Sequence, residues 1–277
     1  MVDAAAGIPH LRSVGLVAPW LQNQSILETV YGGPEGIAGL MQVAAEAKAT
    51  GIQNTVKGIA IAANAQDRFS GIDVLVNNAG YGIVGAVEEI PQAELRALMK
   101  PNFFGAVTVT QAALPLIRKR RNGAIVMISS LGGPLPFGVF GPCSASKFAR
   151  DGLTEARAHE IALFGLKAMI VEPGELRTDF ADSALRHMPR MDEYDAIFGG
   201  TREFAKGTNG TQAGDPVKAA AAIEMSLKSD TRPLRIALGD DAVGAIRDHS
   251  EALLAELLNW EAVARSVTYP KAAQTAA

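Results

Sequence analysis

Near the middle of the chain, Cys143-Ser144-Ala145-Ser146-Lys147 opens a segment of helical character, with its first and last members four residues apart. On a helix that spacing stacks both side chains on one face. A thiol beside an ammonium can move protons: an unperturbed cysteine titrates at about 8.5, and the neighbouring cation is expected to leave Cys143 partly thiolate near neutral pH. A covalent thiol mechanism would need a base and an oxyanion site as well. Three other clusters close apolar runs. Asn77-Asn78-Ala79-Gly80 ends IDVLVN, Ser129-Ser130 ends AIVMIS, and Pro173-Gly174 ends KAMIVE, with Thr178 just beyond. Small, hydroxyl and amide residues at the carboxyl ends of parallel strands are where an open α/β sheet takes its ligand. Alone, NNAG reads equally well as an ordinary turn.

The elements that must hold these residues follow from the pattern around them. Strands are expected at 72–77, 124–129, 167–172 and 234–238, each apolar on both faces and so suited to burial between two helix layers. Helices are expected at 92–100, 103–120, 142–164, 216–229 and 240–265, the last with Leu253, Leu254, Leu257 and Leu258 at helical spacing. Pro101 should break or bend the helix pair around it. Upstream, a strand fits 13–18 and helices fit 24–31, 35–49 and 53–69. Alternating strands and helices predict an α/β fold with a parallel sheet.

Over about residues 55–265 the chain resembles the short-chain dehydrogenase/reductase family. The matching pieces stand in the family's order: NNAG at 77–80, Asn102 in the helix break PNFFG, ISS at 128–130, CSASK at 143–147 and PGELRT at 173–178. The separation 143 − 130 = 13 is also that of the family's serine and tyrosine. The resemblance implies a Rossmann-like, doubly wound parallel sheet in three layers, and a hydride moved between NAD or NADP and a carbonyl or alcohol carbon. It gives Ser130 the task of polarising the substrate oxygen, Lys147 that of lowering the proton donor's pKa and contacting the nicotinamide ribose, and Asn102 that of holding a water in a proton path. Asn77, Asn78, Ala79, Gly80, Lys147, Pro173, Gly174 and Thr178 become the expected cofactor contacts. The family's helix pairing predicts a homodimer or homotetramer through 103–120 and 142–164, with His159 and Glu160 on that helix.

Two departures from the family stand out. The tyrosine's place is taken by Cys143, whose sulfur lies one bond beyond Cβ and cannot touch a substrate oxygen placed for a phenol; a water in the vacated space could relay the proton, at a serious loss of rate. The family's opening T-G-x-x-x-G-x-G turn is also missing. Thr50-Gly51 has its next glycine at Gly58 and lies too near NNAG, while Gly33, Gly36 and Gly39 follow no convincing strand. Residues 16–49 faintly resemble dienelactone-hydrolase-like α/β-hydrolases, without a G-x-S-x-G elbow to bring that chemistry. The expected organisation is an atypical segment at 1–54 that replaces or modifies the first Rossmann units, a Rossmann domain at 55–265 and a tail at 266–277.

Composition limits the rest. The 277 residues are 48% hydrophobic and carry a net charge of −3, enough to build a core and too acidic for a nucleic-acid surface. Arg118-Lys119-Arg120-Arg121 reads as a solvated helix end, and His10, His159, His187 and His249 have no metal-ligand spacing. One cysteine, no membrane-length apolar run and no signal-like start at Met1-Val2-Asp3 predict a soluble cytoplasmic protein without membrane contact. Phe137, Phe140, Phe148, Phe180 and Tyr194 lie where the family lines its substrate pocket, so the resemblance implies a small apolar carbonyl or alcohol substrate, although each could equally be core. Two other readings compete with an oxidoreductase of impaired or altered chemistry. One is a non-catalytic oligomerising protein, and the other is a cofactor-independent isomerase or lyase using Ser130, Lys147 and Cys143.

Overall fold

The computed structural model describes residues 13–16 and 72–269. Among the described residues the strands are β1 (Ser13–Leu16), β2 (Val74–Asn77), β3 (Gly82–Val84), β4 (Gly123–Ile128), β5 (Leu166–Pro173), β6 (Leu185–His187) and β7 (Arg235–Leu238). Helices are α1 (Gln92–Met99), α2 (Ala106–Arg120), α3 (Gly141–Ala162), α4 (Phe180–Ser183), α5 (Asp192–Gly207), α6 (Pro216–Lys228), α7 (Asp240–Asn259) and α8 (Glu261–Arg265). Five strands form one sheet in the order β1-β2-β4-β5-β7, all parallel. This is the Rossmann-like sheet expected from the alternation of elements.

The two faces of the strands feed two separate cores. Ile72, Leu75 and Ile125 pack with Val109, Ala113 and Ile117 of α2 and Ile161 of α3. On the opposite face, Val74, Ala124, Val126, Met169 and Val171 pack with Ile223 and Leu227 of α6. Each strand is therefore apolar at odd and even positions alike, because both faces are covered. In the doubly wound order 3-2-1-4-5-6 the first strand lies beside the fourth, with the ligand crevice between them. β1 holds that first place against β2, with Leu16 in register with Asn77.

Pro101 acts as expected. With no N–H at Pro101 to continue the ladder, Lys100–Gly105 forms a π-helical turn between α1 and α2 and carries Asn102 inward. Downstream of Thr178 the structure holds elements the sequence pattern did not give: α4, β6 and α5, with β6 paired in parallel to β3. This lid packs on the body through Val84, Ala86, Val139 and Ala205, joined by Phe140, Leu185, Tyr194 and Phe198. The expected helices at 24–31, 35–49 and 53–69 lie outside the described residues, as do Gly33, Gly36, Gly39, Thr50, Gly51 and Gly58.

Candidate active site

The sheet's own hydrogen bonding fixes Ser130. Beyond the last residue of β4, Ser129 N–H donates to Val171 O at 2.7 Å and Leu131 N–H to Pro173 O at 2.9 Å, so the residue between them cannot drift. The Ser130 hydroxyl accepts from Gly132 N–H at 3.1 Å, which leaves its own proton free to point at a substrate oxygen. Gly133, one step on, is required by crowding: a Cβ there would lie 2.5 Å from Ser129 Oγ and collide with the Asp151 carboxylate. Gly133→Ala is expected to cost about 1–3 kcal/mol as overpacking, read as a lowered thermal midpoint, and to displace Ser130 with its loop. Unchanged stability would show that the Asp151 wall yields.

Lys147 turns inward. Its ammonium donates to Ile128 O at 3.1 Å and Ser129 O at 2.9 Å, both at the end of β4. Burial, reinforced by the Arg150 guanidinium, pulls its pKa down to about 7, against the opposing pull of Asp151 and Cys143. A step that needs the charged ammonium should therefore weaken as pH rises above about 7. In Lys147→Arg, which stays charged, that decline should vanish from the pH profile of the rate. The sign for stability is the reverse: between about 7 and 10.4 the unfolded chain binds more protons at this position, so stability rises with pH across that window.

Cys143 does not share this direction. Its Sγ accepts from Ile83 N–H at 3.0 Å and donates to Ile83 O at 3.2 Å, which fastens it to the β3 backbone. Burial pushes the thiol pKa up and outweighs both the Ile83 N–H and Lys147. The expectation of a partial thiolate is thus corrected: desolvation of a small buried sulfur wins over one neighbouring cation.

Asn102, 1% exposed, is a strut. Its Nδ2 donates to Tyr81 O at 2.9 Å and Ser146 Oγ at 3.0 Å, and its Oδ1 accepts from Tyr81 N–H at 3.0 Å. These bonds clamp the turn after NNAG onto α3, with Gly80 small enough to clear the amide. Both side-chain N–H bonds are committed, so the amide hydrogens are not available to hold a water.

The residues expected to meet the cofactor gather at the carboxyl ends of β2, β4 and β5. Asn77 and Asn78 are buried, and among the described residues Asn77 Oδ1 and Asn78 Nδ2 have no hydrogen-bond partner. Asn77 Nδ2 donates to Thr110 Oγ1 at 3.0 Å, and the remaining buried amide atoms at the sheet's ligand edge suit the nicotinamide–ribose half of a dinucleotide. Ala79 packs against the core instead. Gly174 N–H donates to Leu238 O at 2.9 Å, and its Cα faces the Asp241 carboxylate at the start of α7. Half-buried Thr178 accepts from Phe180 N–H at 3.4 Å. For the pyrophosphate half the sequence fits poorly: the residues after β1 begin Val17-Ala18-Pro19-Trp20, where a phosphate turn needs glycine.

The lid gives the site an apolar side. A Cβ on Gly82 would lie 2.7 Å from Leu185 Cδ1, 3.1 Å from Phe180 Cζ and 3.4 Å from Cys143 Sγ, so lid and thiol converge there. Of the aromatic residues expected to line a pocket, Phe140 and Tyr194 pack beneath the lid. Phe137, Phe148 and Phe180 are exposed. Missed by the sequence reading was the buried ion pair that holds the lid, in which one Arg202 nitrogen donates to both Glu89 oxygens, at 2.7 and 2.6 Å. The spacing Tyr194-Phe198-Arg202-Ala205 was its available signal. Val139, a β-branched residue at φ 59, is held in a left-handed conformation where its carbonyl accepts from Gly85 N–H. Among the described residues no cluster of His, Cys, Asp and Glu could hold a metal ion.

Comparison with known proteins gives the family. The profile described as short chain dehydrogenase matches residues 36–189, beginning upstream of residue 55. Oxidoreductase BOA17 of Botryotinia fuckeliana is 34% identical over 194 residues, 70% of this chain and 71% of that protein. A 3-ketodihydrosphingosine reductase of Bacteroides thetaiotaomicron is 46% identical over 112 residues, 40% of this chain and 42% of its own. A short-chain dehydrogenase from Streptomyces avermitilis, solved as a crystal structure, superposes with a TM-score of 0.73 at 41% identity, covering 79% of both chains. The chain belongs to the short-chain dehydrogenase family, a class of NAD(P)-dependent oxidoreductases.

Proposed function

We propose that this chain interconverts an apolar carbonyl compound and its alcohol with NAD or NADP, through a proton-transfer step weakened by Cys143. The observation that carries the reading is the Ser130–Lys147 pair at the end of β4, beside a thiol fastened to Ile83. Asn77, Asn78 and Lys147 would hold the nicotinamide–ribose half, and Pro173, Gly174 and Thr178 would border it. When bound, the nicotinamide supplies or accepts the hydride.

Ser130 donates its free proton as a hydrogen bond to the carbonyl oxygen and stabilises the charge that develops there. Lys147 keeps a positive potential beneath the site. The oxygen's new proton comes from a water in the space a tyrosine ring would fill, because the thiol is short and engaged elsewhere. Leu185 and Phe180 shed water from the substrate side, and the Bacteroides relative's name likewise states a ketone substrate. Residues 1–54 serve as an atypical replacement for the first Rossmann units. The single cysteine suits a reducing, cytoplasmic setting, and α2 and α3 are proposed to pair subunits.

Calorimetry with NADPH and NADH, followed by reduction of a panel of apolar ketones and aldehydes, tests the reading. Expected are a dissociation constant weaker than micromolar for the preferred nucleotide, and slow turnover. A sub-micromolar constant would mean that the residues after β1 build an unforeseen phosphate cradle. Absence of binding at millimolar nucleotide would overturn the oxidoreductase assignment.

A further inference from the structure

Arg150 lies three residues after Lys147 on α3 and is 1% exposed. Side chains at that spacing are neighbours on one face of a helix. Its Nη2 donates to Asn77 O at 2.6 Å and lies 2.9 Å from Met127 Sδ, so the guanidinium reaches the carboxyl end of β2 as the Lys147 ammonium reaches that of β4. Nε and Nη1 have no hydrogen-bond partner among the described residues. Tying down one carbonyl does not call for such a group, since a neutral donor would do it without the cost of desolvating an ion.

Two like charges that face each other in a region of low dielectric repel strongly, and the group that holds its proton less tightly yields. Here the lysine yields. Burial pulls the Arg150 pKa down to about 10, which leaves the guanidinium charged at neutral pH. Lys147 is brought to about 7, by burial first and by Arg150 second. We propose that Arg150 is a positioning residue that acts through Lys147: it ties the end of β2 to α3 and, as a permanent neighbouring cation, sets the charge that Lys147 carries in the site.

The other charged groups around Lys147 pull the opposite way. Asp151, the residue after Arg150 and itself 2% exposed, favours the ammonium, and so does Cys143. Beyond Asp151 stands Arg235 of β7, whose Nη1 lies 3.2 Å from Asp151 Oδ2 and is also paired with Glu172 of β5. β4 offers Lys147 only the carbonyls of Ile128 and Ser129, and Arg157 faces Arg150 from farther along α3. Arg150 and Asp151 therefore act on Lys147 with opposite signs from adjacent positions, and that opposition is measurable.

The inference rests on the reading that the Lys147 charge serves carbonyl reduction, so the proton is followed first without nucleotide or substrate. In protein labelled with carbon-13 at lysine Cε, the Lys147 signal, identified by its loss in Lys147→Arg, should titrate near 7. In Arg150→Met, and independently in Arg150→Gln, the midpoint should move up toward the ordinary value of about 10.4 and stop short of it, because burial remains. In Asp151→Asn it should move down. The decline of kcat above neutral pH, at saturating nucleotide, should move in the same directions. At pH 8 a lysine with its midpoint near 7 is charged in about one molecule in ten, so a midpoint raised past about 9 would increase a rate that needs the ammonium about tenfold. Midpoints that stay near 7 in both neutral variants, or that move the same way in Arg150→Met and Asp151→Asn, would overturn the proposal. Loss of the folded state in both neutral variants, read by circular dichroism, would overturn it as well, by making Arg150 a structural tie alone. Midpoints that move as expected while the kcat profile stays fixed would uphold the hold of Arg150 on Lys147 and refute instead the use of that charge in reduction.

Discussion

Replacing Cys143 with tyrosine is expected to raise carbonyl reduction at saturating nucleotide by about 10²–10⁴-fold, the usual contribution of a well-placed general acid. In the native protein the thiol is occupied with Ile83 and its burial keeps it neutral, so it neither reaches the substrate oxygen nor offers a thiolate. A phenol at the same position begins one turn before Lys147, whose cation lowers the phenol's pKa, and extends toward the oxygen that Ser130 polarises. The measurement is kcat and KM for several apolar ketones, wild type against variant. The rise should fall in kcat, since only the proton step changes. If the variant binds nucleotide as the wild type does and is slower, the thiol is a working part of an altered mechanism and the reading of a weakened tyrosine site is wrong.

Breaking the Glu89–Arg202 pair is expected to cost about 3–5 kcal/mol, the usual consequence of leaving one buried charge without its partner. Both side chains are almost completely buried, and Glu89 also accepts from Ala86 N–H at 2.6 Å and Met191 N–H at 2.8 Å. Arg202→Met should therefore loosen α5 and the rest of the lid and lower the thermal midpoint by several degrees or more.

The pH dependence separates loss of this pair from simple loss of packing. Burial alone would raise the Glu89 pKa, but Arg202 and the two N–H groups outweigh it and hold the carboxyl below its ordinary range. In the wild type that contribution is fully present above about 4.3 and disappears as pH falls through the folded value. In Arg202→Met the main counterweight to burial is gone, the pKa rises, and acidification from neutral pH should recover stability instead. Thermal melts of the two proteins between pH 7 and 4 should diverge in sign. Parallel curves would show that Glu89 is stabilised by the backbone alone.

The sheet and the order of its motifs were legible in the sequence because both depend on local chemistry. Strands β2, β4 and β5 are largely apolar on both faces, and a run of that kind has few folded fates other than a strand between helix layers. The π-turn at Asn102 was signalled by Pro101, which cannot continue a helical ladder whatever surrounds it. By contrast β3 and β6 have three residues each and exist only because they pair with each other across a hundred positions. No window of sequence holds both partners.

What the sequence by itself determined is the set of reacting groups: a serine at the end of β4, a lysine one turn after a cysteine, and amides after β2. What only the tertiary structure decided is the state of each group, since protonation and direction depend on desolvation and on neighbours far along the chain. Lys147 is turned onto two β4 carbonyls and brought to about 7, while Cys143 is turned onto β3 and kept neutral, although the two start on one helical face. The lid's buried ion pair joins residues over a hundred positions apart, and only folding removes the water that would otherwise make such a pair worth little.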